Sequence, residues 1–548
     1  MSHRAPRLLA LLLPGLLLFA DTASAQGGFA VYVNTTEDLP VQANHCLPQQ
    51  DCPLRSAIER IEGAGMQGTI RACFEPGTPG AKRCSPLAKP LSREDPGYDA
   101  ATGKWYFEFA ENGLAYSLSQ NGTTIDFSLD IEGWSSPADN KIVITPGAGQ
   151  LEHAFVIESS GNTFKGFDVE GDFQIAAFVV RQGLLGEGAT NNQFGPGLAL
   201  YGIRPAVGIQ IRDRSSSGNR VLGNWCGITG DGTVRRPLQD DCVQVTLGSS
   251  GNTIGGVGAN QNVFAASTLG SGVSITQDAN GNKVIGNRFG LDLAGQPAGL
   301  QAGVTVKVGS NDTEIADNTI AGVETSGISV YDGSYRTVIH ENLIGLQSDA
   351  ETCAGNGQLG IQINNGVNAT RIERNFVACN DKGGISIAGA SARGNRISQN
   401  AVWNNNGIGI QVSQGANAGV KAPKINSASP ARVVGSASSC RGGDVEIYSD
   451  EKGEARWYEG AVKAEATTGL FIFEAPGPIA HKFVTASCTD TNGNSSALSE
   501  PVAVQGGGGN TPTQTPTRVP ATPDPNATPL PTLYNLFAPA VFKNHGSR

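Results

Sequence analysis

Gly360-Ile361-Gln362-Ile363, Ile372-Glu373-Arg374-Asn375-Phe376-Val377, Gly384-Ile385-Ser386-Ile387, Ile397-Ser398-Gln399-Asn400-Ala401-Val402 and Gly409-Ile410-Gln411-Val412 follow one another along the chain. Two patterns alternate here: glycine before a β-branched pair, and a short apolar run closing on asparagine. Toward the N-terminus the first recurs as Gly327-Ile328-Ser329-Val330, Gly303-Val304-Thr305-Val306, Gly272-Val273-Ser274-Ile275 and Gly208-Ile209-Gln210-Ile211, with Cys242-Val243-Gln244-Val245 replacing one glycine. From 272 onward its starts are 31, 24, 33, 24 and 25 residues apart. The asparagines of the second pattern are Asn224, Asn287, Asn318, Asn342, Asn375 and Asn400; from 287 they recur at 31, 24, 33 and 25.

Strands this short cannot stand as isolated hairpins, but stacked coil upon coil they bury a continuous apolar column. The period therefore predicts an all-β solenoid, a parallel β-helix over 122–418. Its stacked asparagines would form a ladder of amides tolerant of left-handed corners. A propeller would need blades of about 40–50 residues, longer than this period. At roughly 25–30 residues per coil, about ten to twelve coils would make a rod of roughly 50–60 Å. The longer spacings come from loops: Gly227–Thr233, Gly290–Gly295 and Gly345–Ala350.

Composition agrees. Glycine supplies 73 of 548 residues, 13%, against about 7% in ordinary proteins. Collagen's strict period is absent, and 16% charged with 39% hydrophobic residues opposes wholesale disorder. Arg4 and Arg7, the apolar run Leu8–Phe19 and the small residues before Gln26 read as a secretory signal peptide over 1–25. The run is too short to span a bilayer, so the mature chain is expected not to be an integral membrane protein. Without that segment, 37 Lys and Arg face 48 Asp and Glu, net −11, which disfavours a nucleic-acid partner. Export to an extracellular or cell-surface location permits disulfides. By proximity the ten cysteines pair as Cys46–Cys52, Cys73–Cys84, Cys226–Cys242, Cys353–Cys379 and Cys440–Cys488; a metal site is the rival, but no C-x-x-C occurs.

Val33-Asn34-Thr35-Thr36, Cys52-Pro53-Leu54-Arg55-Ser56-Ala57-Ile58, Thr124-Ile125-Asp126, Gly251-Asn252-Thr253-Ile254-Gly255-Gly256 and the Gly290–Gly295 loop resemble secreted bacterial right-handed parallel β-helix proteins that begin with a "CSLREA" segment. The resemblance covers about 29–412 and departs from the motif at Pro53 and Ser56. It implies an N-terminal cap region and the first coils over 26–121. Leu54, Ala57, Ile58 and Ile61 recur at helical spacing, so Pro53–Glu62 is expected to be a short helix laid over the open end of the rod. Arg55 is a structural or a ligand-binding residue on this reading.

Residues 419–505 hold alternating strands expected to form a small β-sandwich, and the run Ala486–Ser496 is similar to the end of bacterial immunoglobulin-like modules. A Gly then Thr/Pro-rich linker (506–532) and an apolar tail (533–548) follow, the tail reading either as a sorting or docking signal or as a ragged end.

Paired carboxylates or a base beside acids would mark polysaccharide cleavage. The best local cluster is Asp231, Arg235, Arg236, Asp240 and Asp241, which is also what a solvated loop would contain. Asp490 with Asn492 and Asn494 could bind calcium or close a turn; no other cofactor is indicated. Trp225 and Trp403 could stack on sugars or lie buried. The sequence points first to a non-catalytic protein that binds an extracellular glycan or cell-surface component or acts as a spacer, and second to a polysaccharide lyase or glycoside hydrolase.

Overall fold

The computed structural model describes residues 29–506 except 43, 66, 79–88, 111–113, 130–136, 148–150 and 365. The expected signal peptide, the tail, residue 84 of the Cys73–Cys84 pair and all of the linker but Gly506 lie outside the described residues.

After the N-terminal coils, each coil gives one strand in turn to each of three sheets. Sheet 1 has 12 strands, from Phe29–Val33 to Arg396–Ser398; sheet 2 has 12, from Tyr98–Asp99 to Ala401–Trp403; sheet 3 has 11, from Tyr116–Leu118 to Ile408–Ser413. Pairing within them is parallel except where Tyr98–Asp99 turns back on Lys104 and Trp105. The glycine quartets are sheet 3. Their β-branched residues lie in register and buried, as in Val243, Val273, Val304, Ile328, Ile361, Ile385 and Ile410. The N-terminal coils use aromatic stacks instead: Phe155 and Phe178 lie 4.9 Å apart at 7°, Phe164 and Phe194 5.2 Å apart at 6°. Each such side chain contributes about 1.5–3 kcal/mol by leaving water.

The asparagine ladder is present between sheets 1 and 2, with one rung the periodicity missed: Asn262, between Asn224 and Asn287. Each amide donates to the Oδ1 of the next, as in Asn318 to Asn342 (2.9 Å) and Asn342 to Asn375 (2.9 Å). The left-handed residue, however, is the one before the asparagine at every rung but Asn262, which follows the extended Gln261. Gly223, Gly286, Asp317, Glu341, Arg374 and Gln399 carry the positive φ, which turns the following amide inward where the chain itself must satisfy it. Two further asparagine ladders line the other corners, with a left-handed residue before each rung except Asn356. Asn162, Asn192, Asn219, Asn252 and Asn282 line the corner between sheets 3 and 1; Asn356, Asn380 and Asn405 line the corner between sheets 2 and 3.

The N-terminal helix runs over Leu54–Ala64, with Leu54, Ser56, Ala57, Ile58 and Ile61 buried. Arg55 is structural: its guanidinium makes two 2.8 Å bonds to Asp38, donates to the Leu114 carbonyl at 2.6 Å and lies over the Tyr116 ring. Ser56, at the motif's altered position, bonds His45 at 2.8 Å.

Beyond the last coil, two antiparallel sheets of 3 and 4 strands close on a separate apolar core. This small sandwich also caps the rod. Val402 and Ala455 exchange backbone bonds of 2.9 and 3.1 Å. Glu446 accepts from Ser398 Oγ (2.5 Å), the Gln399 amide (3.0 Å) and the Tyr448 hydroxyl. Cys46–Cys52, Cys226–Cys242, Cys353–Cys379 and Cys440–Cys488 are disulfides. Among the described residues no helix is long and apolar enough to cross a membrane.

Candidate functional site

In a parallel strand the residue between two inward β-branched positions faces outward. On sheet 3 the third residue of every quartet therefore forms an outward row, partly covered at Gln210, Ser274, Thr305 and Ser386, and its members pair in register: Gln210, Gln244, Ser274, Thr305, Ser329, Gln362, Ser386 and Gln411. All eight are amides or hydroxyls, repeating at about 4.8 Å along the rod. In the N-terminal half several are bonded to one another or to neighbouring side chains. Gln210 donates to Gln244 (2.8 Å), Gln244 to Asp241 (3.1 Å), and Ser271 and Thr305 share a proton at 2.8 Å.

At the C-terminal half the row opens into a cavity of about 440 Å³, lined by Gln362, Asn364, Ser386, Ala388, Gln411, Ser413 and Gln414. Gln362 accepts a long 3.4 Å bond from Ser326. The side chains of Asn364, Gln411, Ser413 and Gln414 have no hydrogen-bond partner among the described residues, so their donors and acceptors face the cavity. The signal for this site lay in the variable letter of the glycine quartet, which is Gln, Ser or Thr in every copy.

The structure disperses the acid–base cluster expected between 231 and 241. Asp231 folds its own turn, and the Thr229 hydroxyl holds its pKa below the usual value. Arg235 pairs with Asp292 at 2.7 Å. Arg236 pairs with Glu170 and lies over the Tyr201 ring, against sheet 2. Asp240 accepts from the Asp241 amide. Asp241 sits at the edge of sheet 3, accepts from Ser271 N at 2.6 Å, and is pushed up to about 6 by burial and by Asp240. Asp292 and Asp349, in the companion loops, likewise cap their turns.

Acids and bases do gather on sheet 2, from residues far apart in sequence. Asp168 receives Lys104 Nζ (2.6 Å), Asn140 Nδ2 (2.7 Å) and the Tyr201 hydroxyl (3.0 Å). Burial raises its pKa while Lys104 pulls it down. The carboxylate is fully enclosed, and a Cβ on Gly230 would stand 2.9 Å from both its oxygens. With both oxygens accepting bonds and the loop seated on them, the cluster is a buried tie between coils.

The calcium candidates do not converge as oxygen ligands. Asp490 accepts from the Asn492 and Asn494 amides and from Asn494 Nδ2, closing a turn, and Asn494 Oδ1 accepts from Gly394 N. Trp403 is buried beneath Phe376 and Arg456. Trp225 packs on Ile228, Val263, Ala265 and Ala298. Neither indole is a free platform.

A family model described as a right-handed beta helix region matches residues 302–447. With the three parallel sheets it defines the class: a right-handed parallel β-helix followed by a small β-sandwich. Similar solved structures include the A-module of mannuronan C-5 epimerase AlgE6 from Azotobacter vinelandii (13% identity, 66% of this chain and 93% of that one, TM-score 0.39). Others are the Dettilon tailspike protein gp208 (12%, 84% and 78%, 0.38) and PfbA, a surface adhesin of Streptococcus pneumoniae (12%, 65% and 88%, 0.28). No curated protein sequence matches the chain.

Proposed function

We propose that this is a secreted or cell-surface protein that binds glycan chains without cleaving them, along the outer face of sheet 3. The observation that carries the reading is the row from Gln210 to Gln411, ending in a cavity where the side chains of Asn364, Gln411, Ser413 and Gln414 have no partner among the described residues. Sugars present hydroxyls that both donate and accept, and Gln, Asn and Ser side chains do the same. A lyase or hydrolase needs an accessible acid–base pair. Here Asp231 and Asp241 serve different faces of the rod, and Asp168 is sealed. The disulfides suit an oxidising compartment.

The test is a panel of acidic and neutral polysaccharides scored for binding and for cleavage. Binding without new reducing ends or unsaturated products is expected. Turnover abolished by Asp241→Ala would overturn the reading in favour of an enzyme, and absence of any glycan or cell-surface binding would leave a spacer.

A further inference from the structure

We infer that the groove takes a neutral, extended polysaccharide rather than a uronate or sulfated polymer, an inference that rests on the glycan-binding reading above. The first observation is charge. None of the eight row positions is ionisable, and from Ser329 to Ser413 the cavity half offers only amides, hydroxyls and Ala388. Charges flank both halves of the row, Arg212, Asp241 and Lys307 in one and Lys382 and Glu454 in the other, but none of them lines the cavity, and the one bonded to the row is a carboxylate. The protein carries a formal charge of −10. A polyanion would approach against that field and meet no guanidinium or ammonium in the cavity.

The second observation is balance. Carboxylates and sulfates only accept hydrogen bonds, so a site built for them is rich in donors. Gln362, Gln411, Asn364 and Gln414 each bring a carbonyl oxygen as well as an NH₂ group, and an acceptor left facing an anion is repelled. A sugar hydroxyl satisfies both.

The third is translation. Residues related by one coil repeat at a constant step, Gln362, Ser386 and Gln411 all being uncharged hydrogen-bonding side chains, and Ser386, Ala388 and Ser413 keep the cavity floor low. Such a surface fits a ligand that itself repeats and lies along the rod. Affinity should rise with chain length until the groove is filled, because each added sugar binds at high effective concentration.

The experiment is calorimetric titration of the full chain with two sets of oligomers, from dimer to octamer. One set is neutral β-glucan, mannan and xylan; the other is oligogalacturonate, oligomannuronate and a sulfated glycan. The expected result is binding of at least one neutral series, tightening with length and insensitive to salt. Two lost hydrogen bonds in Gln362→Ala/Gln411→Ala should weaken it about tenfold or more. Ser386→Trp, which raises the floor without removing either amide, should abolish it. Both variants change outward residues, and an unchanged unfolding midpoint verifies their folding. Tight, salt-sensitive binding of an anionic series that is lost in the double variant would overturn this inference and leave the glycan-binding function standing. Equal affinity for dimer and octamer, or indifference to both variants, would also overturn it. Binding of none of the oligomers would overturn the inference and remove the glycan-binding reading with it.

Discussion

Asn342 is the rung at which the ladder between sheets 1 and 2 can be tested most directly. It is completely buried; its Oδ1 accepts from the backbone N–H of Asn318 (3.0 Å) and from the Asn318 amide (2.9 Å), while its own NH₂ serves Ile315 O and Asn375 Oδ1, each at 2.9 Å. Asn342→Ala strands at least two buried donors on Asn318. At about 1–3 kcal/mol for each unsatisfied group, the loss is roughly 2–6 kcal/mol. Gln362→Ala, one strand away but facing solvent, should stay within about 0.5 kcal/mol. Because solenoids unfold partly by local steps, the assay should pair denaturant-induced unfolding with hydrogen exchange. The amides of Asn318 and its flanking coils should lose protection first. An Asn342→Ala protein with wild-type midpoint and wild-type exchange at Asn318 would refute the claim that the ladder holds the corner.

Three other outcomes follow from the same geometry. Burial alone would lower the pKa of His340, but its bonds to Glu314 and Glu341 outweigh that and raise it from 6.5 to about 9. Its contribution, at most about 3 kcal/mol, is therefore complete below pH 6.5 and lost as pH rises through 9; the stability difference between wild type and His340→Gln measured across that window should shrink accordingly. A Cβ on Gly345 would meet the Ala378 carbonyl oxygen at 1.9 Å, whereas one on Gly333 meets open space at a similar positive φ (+80° against +75°). Gly345→Ala should thus cost well over the roughly 1–2 kcal/mol of left-handed strain that Gly333→Ala isolates, as unfolding midpoints would report. Glu446→Ala leaves the Ser398 and Tyr448 hydroxyls without their acceptor and the Gln399 amide with only the Tyr448 oxygen, so exchange at Ala401–Trp403 should accelerate as the cap loosens, and unchanged protection there would count against the capping role.

Much of the fold was legible because the solenoid writes its period into the chain: glycine, β-branched pair and asparagine recur with each coil. The ladder residues Asn224 through Asn400 could be named for the same reason. The ladder at the corner between sheets 3 and 1 escaped notice because Thr313, Thr337 and Thr370 take the asparagine position in three successive coils, each after a left-handed residue (Asp312, Arg336, Ala369). The Lys104, Asp168 and Tyr201 tie was illegible for a different reason. Its members lie 64 and 33 residues apart and meet only once irregular N-terminal loops have set the coil register. The 231–241 cluster misled in the opposite sense, since sequence neighbours on either side of a corner end on different faces. Arg236 lies against sheet 2 and Asp241 at the edge of sheet 3.

The three ladders also give the rod an electrical direction. In each of them the NH₂ group of one asparagine points to the Oδ1 of the next in sequence, so the amide dipoles align head to tail with their positive ends toward the last coil. Aligned amides polarise one another, and fixed dipoles act on charges at the ends of the row. At the end where the donors point, the sandwich places the buried carboxylate of Glu446 on the amide of Gln399, the residue before the last rung Asn400. The cap is thus complementary to the rod in sign as well as in shape, as an acidic side chain is to the first turn of an α-helix.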